Sequence, residues 1–123
     1  MKYSATIVGW GEEALSFLEV KDSKSFVILF NENAPKELAE YAILHTIETL
    51  GEDPAPGDTF VVCDKVYEIT AVGEEAKQTF RELGHCTLYF SGDSEPERPG
   101  CIMVKGDPLK VSDVKKGGKI EIF

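Results

Sequence analysis

A mostly β fold, a small closed or partly closed β-barrel with one or two short helices, is predicted by three features of this sequence. Val, Ile, Thr, Tyr and Phe gather in short stretches, Gly, Pro, Asp and Asn separate them, and such stretches recur along the whole chain. Strands are expected at about Tyr3 to Trp10, Ser25 to Phe30, Ala42 to Glu48, Thr59 to Cys63, Val66 to Val72, His85 to Phe90, Cys101 to Lys105 and Lys119 to Phe123. Their number and spacing suit a barrel or a sandwich.

Two helices interrupt the series. Asn33 to Glu40 sets Asn33 or Ala34 before a proline at the first helical position, with an acidic residue in the first turn. The second, about Glu74 to Leu83, starts on Glu74-Glu75, repeats Ala76, Phe80 and Leu83 at helical spacing, and meets Gly84 just past its end. Pro54 to Asp58 and Lys115 to Gly118 read as turns before strands, and Asp64-Lys65 as a hairpin turn. Ser91 to Gly100 is polar and rich in breakers, an exposed loop.

With 123 residues, 42% of them apolar and 28% charged, one domain over 1–123 is expected, large enough to close a core without metals or disulfides. The longest apolar run, Phe26 to Phe30, is strand-sized, far below the roughly 20 residues of a membrane-crossing helix. The N-terminal residues Met1 to Thr6 lack the apolar stretch and cleavage site of a secretory signal, so a cytoplasmic protein without membrane insertion is expected. Cys63, Cys86 and Cys101 form no C-x-x-C pair, so they read as buried thiols and neither a metal nor a cofactor is expected. The formal net charge of -9 repels phosphate backbones and disfavours nucleic acid as a partner.

Candidate chemistry narrows to the two histidines, His45 and His85. An imidazole with an ordinary pKa of about 6.5 offers a lone pair at neutral pH and suits nucleophilic acceptance of a phosphoryl group. In a strand, Ile43, His45 and Ile47 share one face, an apolar patch on which a partner could dock and exclude water. If the helix from Pro35 ran on through Ile47 instead, His45 would lie one turn beyond Tyr41; the strand is the favoured reading. A lone histidine on an apolar face is more often structural than catalytic. His85, after the helix-ending glycine, invites the structural reading more strongly still, although Arg81 and Glu82 stand close in sequence. Nucleotide-binding, zinc-peptidase and serine-hydrolase motifs are absent from the sequence.

The segment Ala34 to His45 resembles the one that holds the phosphorylated histidine in glucitol/sorbitol-specific enzyme IIA proteins of the bacterial sugar phosphotransferase system. A second block, Ile69-Thr70-Ala71-Val72-Gly73 followed by Arg81 to Phe90, is similar to the family's T-A-V-G and R-E-L-G-H-x-T-L-x-F pattern. Pro56-Gly57 and Pro99-Gly100 extend the likeness over nearly the whole chain. The resemblance implies a small β-barrel-like phosphocarrier that takes a phosphoryl group from HPr on His45 and passes it to the IIB domain of a glucitol/sorbitol transporter, with His85 in a supporting role. The transported sugar would not touch it. Where the family carries a Cys-His pair after the phosphorylated histidine, Thr46-Ile47 stand here, and the N-terminal stretch around Trp10 to Glu13 matches loosely. Two other readings remain: a non-catalytic β-barrel binding or regulatory module related to such carriers, and an acid–base enzyme pairing His85 with Glu82.

Overall fold

The computed structural model of the chain describes residues 1–19 and 24–123. Eight strands run in chain order: β1 (Tyr3–Trp10), β2 (Phe26–Asn31), β3 (Ala42–His45), β4 (Thr59–Val62), β5 (Lys65–Val72), β6 (Cys86–Tyr89), β7 (Cys101–Lys105) and β8 (Lys119–Ile122). They close into a barrel in the order β1-β3-β2-β6-β7-β5-β4-β8, with no free edge. Two neighbouring pairs, β2 with β3 and β6 with β7, are parallel, and all other pairs are antiparallel. Parallel neighbours need a crossover rather than a hairpin. The first crossover carries the short helix α1 (Lys36–Ala39); the second is the loop from Phe90 to Gly100.

The alternation that marks strands in the sequence fills the barrel interior. Tyr3, Ala5 and Ile7 of β1, Val27 and Leu29 of β2, Phe60 and Val62 of β4, Leu88 of β6, and Ile120 and Ile122 of β8 all belong to one buried cluster. In β5 the ladder to β7 slips between Ile69 and Ala71. The extra residue, Thr70, turns Ala71 away from the main core into a second small cluster with Cys101 and Met103, against which Tyr89 packs. The Thr70 hydroxyl reaches the carbonyl oxygens of Asp93 (2.6 Å) and Met103 (3.2 Å), and Lys24 pairs with Asp93 and Glu97. The loop expected to be merely exposed is thus strapped across the outer surface.

Several expected boundaries shift, for local reasons. β3 ends at His45 rather than Glu48. The Thr46 hydroxyl accepts the Thr6 N–H (3.0 Å) while the Thr46 N–H donates to Thr6 O (2.9 Å), so a side chain replaces the next rung of the ladder. Pro35 caps α1, and Asn33 and Ala34 lie outside the helix, in a turn closed by Ala34 N–H donating to Asn31 O (3.0 Å). The β4–β5 hairpin turns at Cys63-Asp64 rather than Asp64-Lys65, because Val62 pairs with Lys65; Cys63 takes a φ of 56° to make it.

Helix α2 (Glu74–Leu83) leaves β5 and buries Ala76 and Phe80. The Phe80 ring meets Tyr3 at 4.8 Å between centroids, edge to face, and lies 6.5 Å from His45. One aromatic side chain therefore seats the helix against the barrel interior beside His45. Phe80→Ala should lower unfolding free energy by about 3–5 kcal/mol, measured by urea denaturation. A loss below about 1 kcal/mol would show that Phe80 does not anchor α2.

Candidate functional site

The parallel register of β2 and β3 sets Asn31 beside His45 and Phe30 beside Leu44. The antiparallel register of β2 and β6 sets Leu29 beside Cys86, and its continuation brings His85 opposite Phe30 and Gly84 opposite Asn31. Two rows result because side chains alternate across a sheet. His45, Asn31 and Gly84 lie on the inner face; Leu44, Phe30 and His85 lie on the outer face. The two histidines expected to matter are thereby brought to one place, on opposite sides of the same stretch of wall.

His45 is completely buried. Its Nε2 lies 2.9 Å from Gly84 O, and its Nδ1 lies 2.9 Å from Thr46 O and 3.3 Å from the Tyr3 hydroxyl. A proton on Nε2 donates to Gly84 O and leaves Nδ1 to accept from Tyr3; a proton on Nδ1 donates to Thr46 O. In either form both nitrogens face groups of the protein. Tyr3 keeps its proton, since burial, with the charges of Glu48 and Cys86, pushes its pKa well above the ordinary tyrosine value. The patch expected around His45 is correspondingly different: Ile43 is core, and of the two isoleucines only Ile47, 54% exposed, reaches the surface.

Gly84 ends α2 in the left-handed region at φ 61°, where its N–H donates to Phe80 O (3.0 Å). A Cβ on this residue would stand 2.1 Å from Asn31 Oδ1 and 2.6 Å from His45 Cε1. Both the dihedral and the space demand glycine. Asn31 was not foreseen as part of the site. It is 6% exposed, and its Oδ1 is buried without a hydrogen-bond partner among the described residues. The period-two alternation Val27, Leu29, Asn31 signals its inward direction, once β2 is extended one residue past Phe30.

His85 is held differently. Its N–H donates to Thr79 O (3.2 Å), its carbonyl accepts from the Thr79 hydroxyl (2.7 Å), its Nδ1 lies 3.0 Å from Leu29 O, and its ring stacks on Phe30 at 4.6 Å and 29°. Because Leu29 O can only accept, Nδ1 carries the proton that bridges them. Nε2 has no hydrogen-bond partner among the described residues, and the residue is half-buried. The neighbours suggested by sequence play no part: Glu82 accepts from Gln78 (3.3 Å), and Arg81 reaches Leu50 O (3.3 Å) and the Asp53 carboxylate. Burial beside Cys101 pushes the Cys86 thiol far up, which leaves it unsuited to act as a nucleophile.

Comparison with known proteins places this arrangement in context. Residues 2–121 match the family model for the PTS system glucitol/sorbitol-specific IIA component. The glucitol/sorbitol-specific EIIA component of Escherichia coli (strain K12) is 39% identical over 104 residues, which cover 85% of this chain and 81% of that protein. The corresponding component of Shigella flexneri is similar to the same extent. The crystal structure of a PTS system IIA component from Enterococcus faecalis V583 superposes with a TM-score of 0.72 at 25% identity, covering 97% of this chain and 98% of the other.

Gly84→Ala should destabilise the fold by at least about 2 kcal/mol, since it adds left-handed strain to a steric conflict with Asn31 and His45. Chemical denaturation measures the loss. Wild-type stability in this variant would mean that the turn is not held as described.

Proposed function

Because the chain belongs to the glucitol/sorbitol-specific IIA family of the sugar phosphotransferase system, a family of phosphocarriers, we propose that it accepts a phosphoryl group from HPr on a histidine and passes it to the IIB domain of a glucitol/sorbitol transporter. The family match over residues 2–121 carries this reading, and the chemistry of the two histidines supports it. In this reading residues 1–123 act as one domain in the cytoplasm; no helix among the described residues is long and apolar enough to cross a membrane.

Transfer between two imidazoles needs the acceptor lone pair in line with the bond that breaks, at near-contact distance and away from bulk water. The resemblance puts the phosphoryl group on His45. For reaction at Nε2 the contact to Gly84 O must break and the turn must swing outward; at Nδ1 the contacts to Thr46 and Tyr3 must part.

A carrier that meets two partners in turn also needs complexes that form and dissociate quickly, which favours exposed charges that steer encounter over extensive apolar burial. The net charge of -9 supplies such a field, and Glu40 and Glu48, both exposed on either side of β3, are its candidates near the site. A non-catalytic binding module would need no such steering.

Incubation with phosphoenolpyruvate, enzyme I and HPr should add one phosphoryl group, seen by intact mass, in a linkage labile to acid and stable to base. No addition would reject the carrier reading and favour a binding module. The rate of transfer from HPr should fall markedly between 0.01 M and 0.15 M salt, as the screening length drops from about 30 Å to about 8 Å. A flat salt profile would reject acidic steering and leave the histidine chemistry standing.

A further inference from the structure

We propose that Asn31 receives the phosphoryl group at His45: its carboxamide turns end for end and donates N–H to the phosphoryl oxygens. This inference rests on the carrier reading above, with His45 as the acceptor, and names the residue that stabilises the transferred group there.

Asn31 breaks the pattern of its own strand. Val27 and Leu29 face the core before it, and a third apolar side chain would continue their row. A carboxamide stands there instead, 6% exposed, and its Oδ1 has no hydrogen-bond partner among the described residues. An orphaned buried acceptor costs stability in the resting protein, and departures of this kind from a local rule gather at functional sites.

The backbone fixes where that carboxamide lies. Asn31 is in register with His45, the Glu32 N–H donates to His45 O (2.7 Å), and Asn31 O accepts from the Ala34 N–H (3.0 Å). The point at which a Cβ on Gly84 would stand is 2.1 Å from Asn31 Oδ1 and 2.6 Å from His45 Cε1. Cε1 is bonded to both ring nitrogens, so the carboxamide borders the edge of the ring at which reaction occurs. Reaction at Nε2 requires the Gly84 turn to move outward, and the space it vacates is the one that carboxamide and ring share.

Charge decides what that space must offer. The arriving group carries a charge of about −1.5 to −2. The polar contacts of His45 among the described residues are the carbonyl oxygens of Gly84 and Thr46 and the hydroxyl of Tyr3. Carbonyl oxygens only accept, so Tyr3 is the sole donor of the three. Asn31 adds two N–H donors once rotation about its Cβ–Cγ bond exchanges the ends of the amide, a torsion with broad, two-fold wells. Oδ1 gives up no hydrogen bond in that rotation, and the N–H groups gain charge-assisted ones.

The transfer balances without any further reagent. The His45 Nε2 lone pair forms the new N–P bond as the N–P bond of the HPr phosphohistidine breaks, and the electron pair of that bond returns to the donor imidazole. The His45 proton stays on Nδ1, toward Thr46 O. Asn31 exchanges no proton; it holds the phosphoryl oxygens while the bonds change.

Nuclear magnetic resonance of the unaltered chain tests this directly, because Asn31, Asn33 and Gln78 are its only side-chain amides. With each NH2 pair assigned through bonds to its own backbone, phosphorylation by enzyme I and HPr at mildly alkaline pH should move an Asn31 N–H downfield and leave Asn33 and Gln78 in place. Asn31→Ala, folded by circular dichroism, should accept the group from phospho-HPr at least about tenfold more slowly, since one lost donor to a developing charge costs up to about 10³ in rate. An Asn31 pair that stays in place, or wild-type transfer by Asn31→Ala, would overturn the proposal while the carrier reading stood. A wild-type chain that takes up no phosphoryl group would overturn both.

Discussion

The peptide between Gly84 and His85 is the constraint on which the rest of the site depends. It must end α2, satisfy a buried imidazole and start β6 within two residues. Only a left-handed residue without a Cβ turns the chain there, since Asn31 and His45 already occupy the space a side chain would need. An imidazole nitrogen sealed in the core without a partner would cost several kcal/mol, on the order of 2–7 for a polar group left unbonded. The Gly84 carbonyl removes that penalty for His45. The same turn delivers His85 to the outer face, where Leu29 and Phe30 receive it.

Barrel closure makes this turn rigid. β2 lies between β3 and β6, so its residues touch both histidines: Asn31 is in register with His45, and Leu29 and Phe30 hold His85. Both parallel pairs of the barrel involve these strands or their neighbours, and each crossover is covered by α1 or by the strapped loop. A strand bonded on both sides cannot slide without moving its whole hydrophobic set to the wrong face. The positions of the two imidazoles therefore follow from the register of three strands.

Inner and outer faces give the two histidines different chemistry. On the inner face, enclosure commits both nitrogens of His45 and leaves Asn31 with an unmatched oxygen. On the outer face, Nδ1 of His85 is committed to Leu29 O, and Nε2 has no hydrogen-bond partner among the described residues. The wall between them is a single β-sheet layer. The formal net charge of -9 gives the chain a negative long-range field.

Much of the architecture was legible in the residues. Clusters of β-branched and aromatic residues between Gly, Pro, Asp and Asn placed all eight strands, the Glu74–Leu83 helix was found from its apolar spacing and its closing glycine, and the mostly β barrel follows, because these are local signals. The histidines stood out because there are only two. Sequence spacing could not show that β3 stops at His45, since the Thr46 hydroxyl replaces a ladder rung only when Thr6 lies opposite. Nor could it show that Ile43 is core, that Asn31 joins the site, or that the two imidazoles share one wall. Those facts depend on which strands are neighbours and in what register, and the parallel β3-β2 and antiparallel β2-β6 pairings join residues far apart in the chain. Local composition determines which face a side chain takes along its strand; only closure of the barrel decides what stands on the other side.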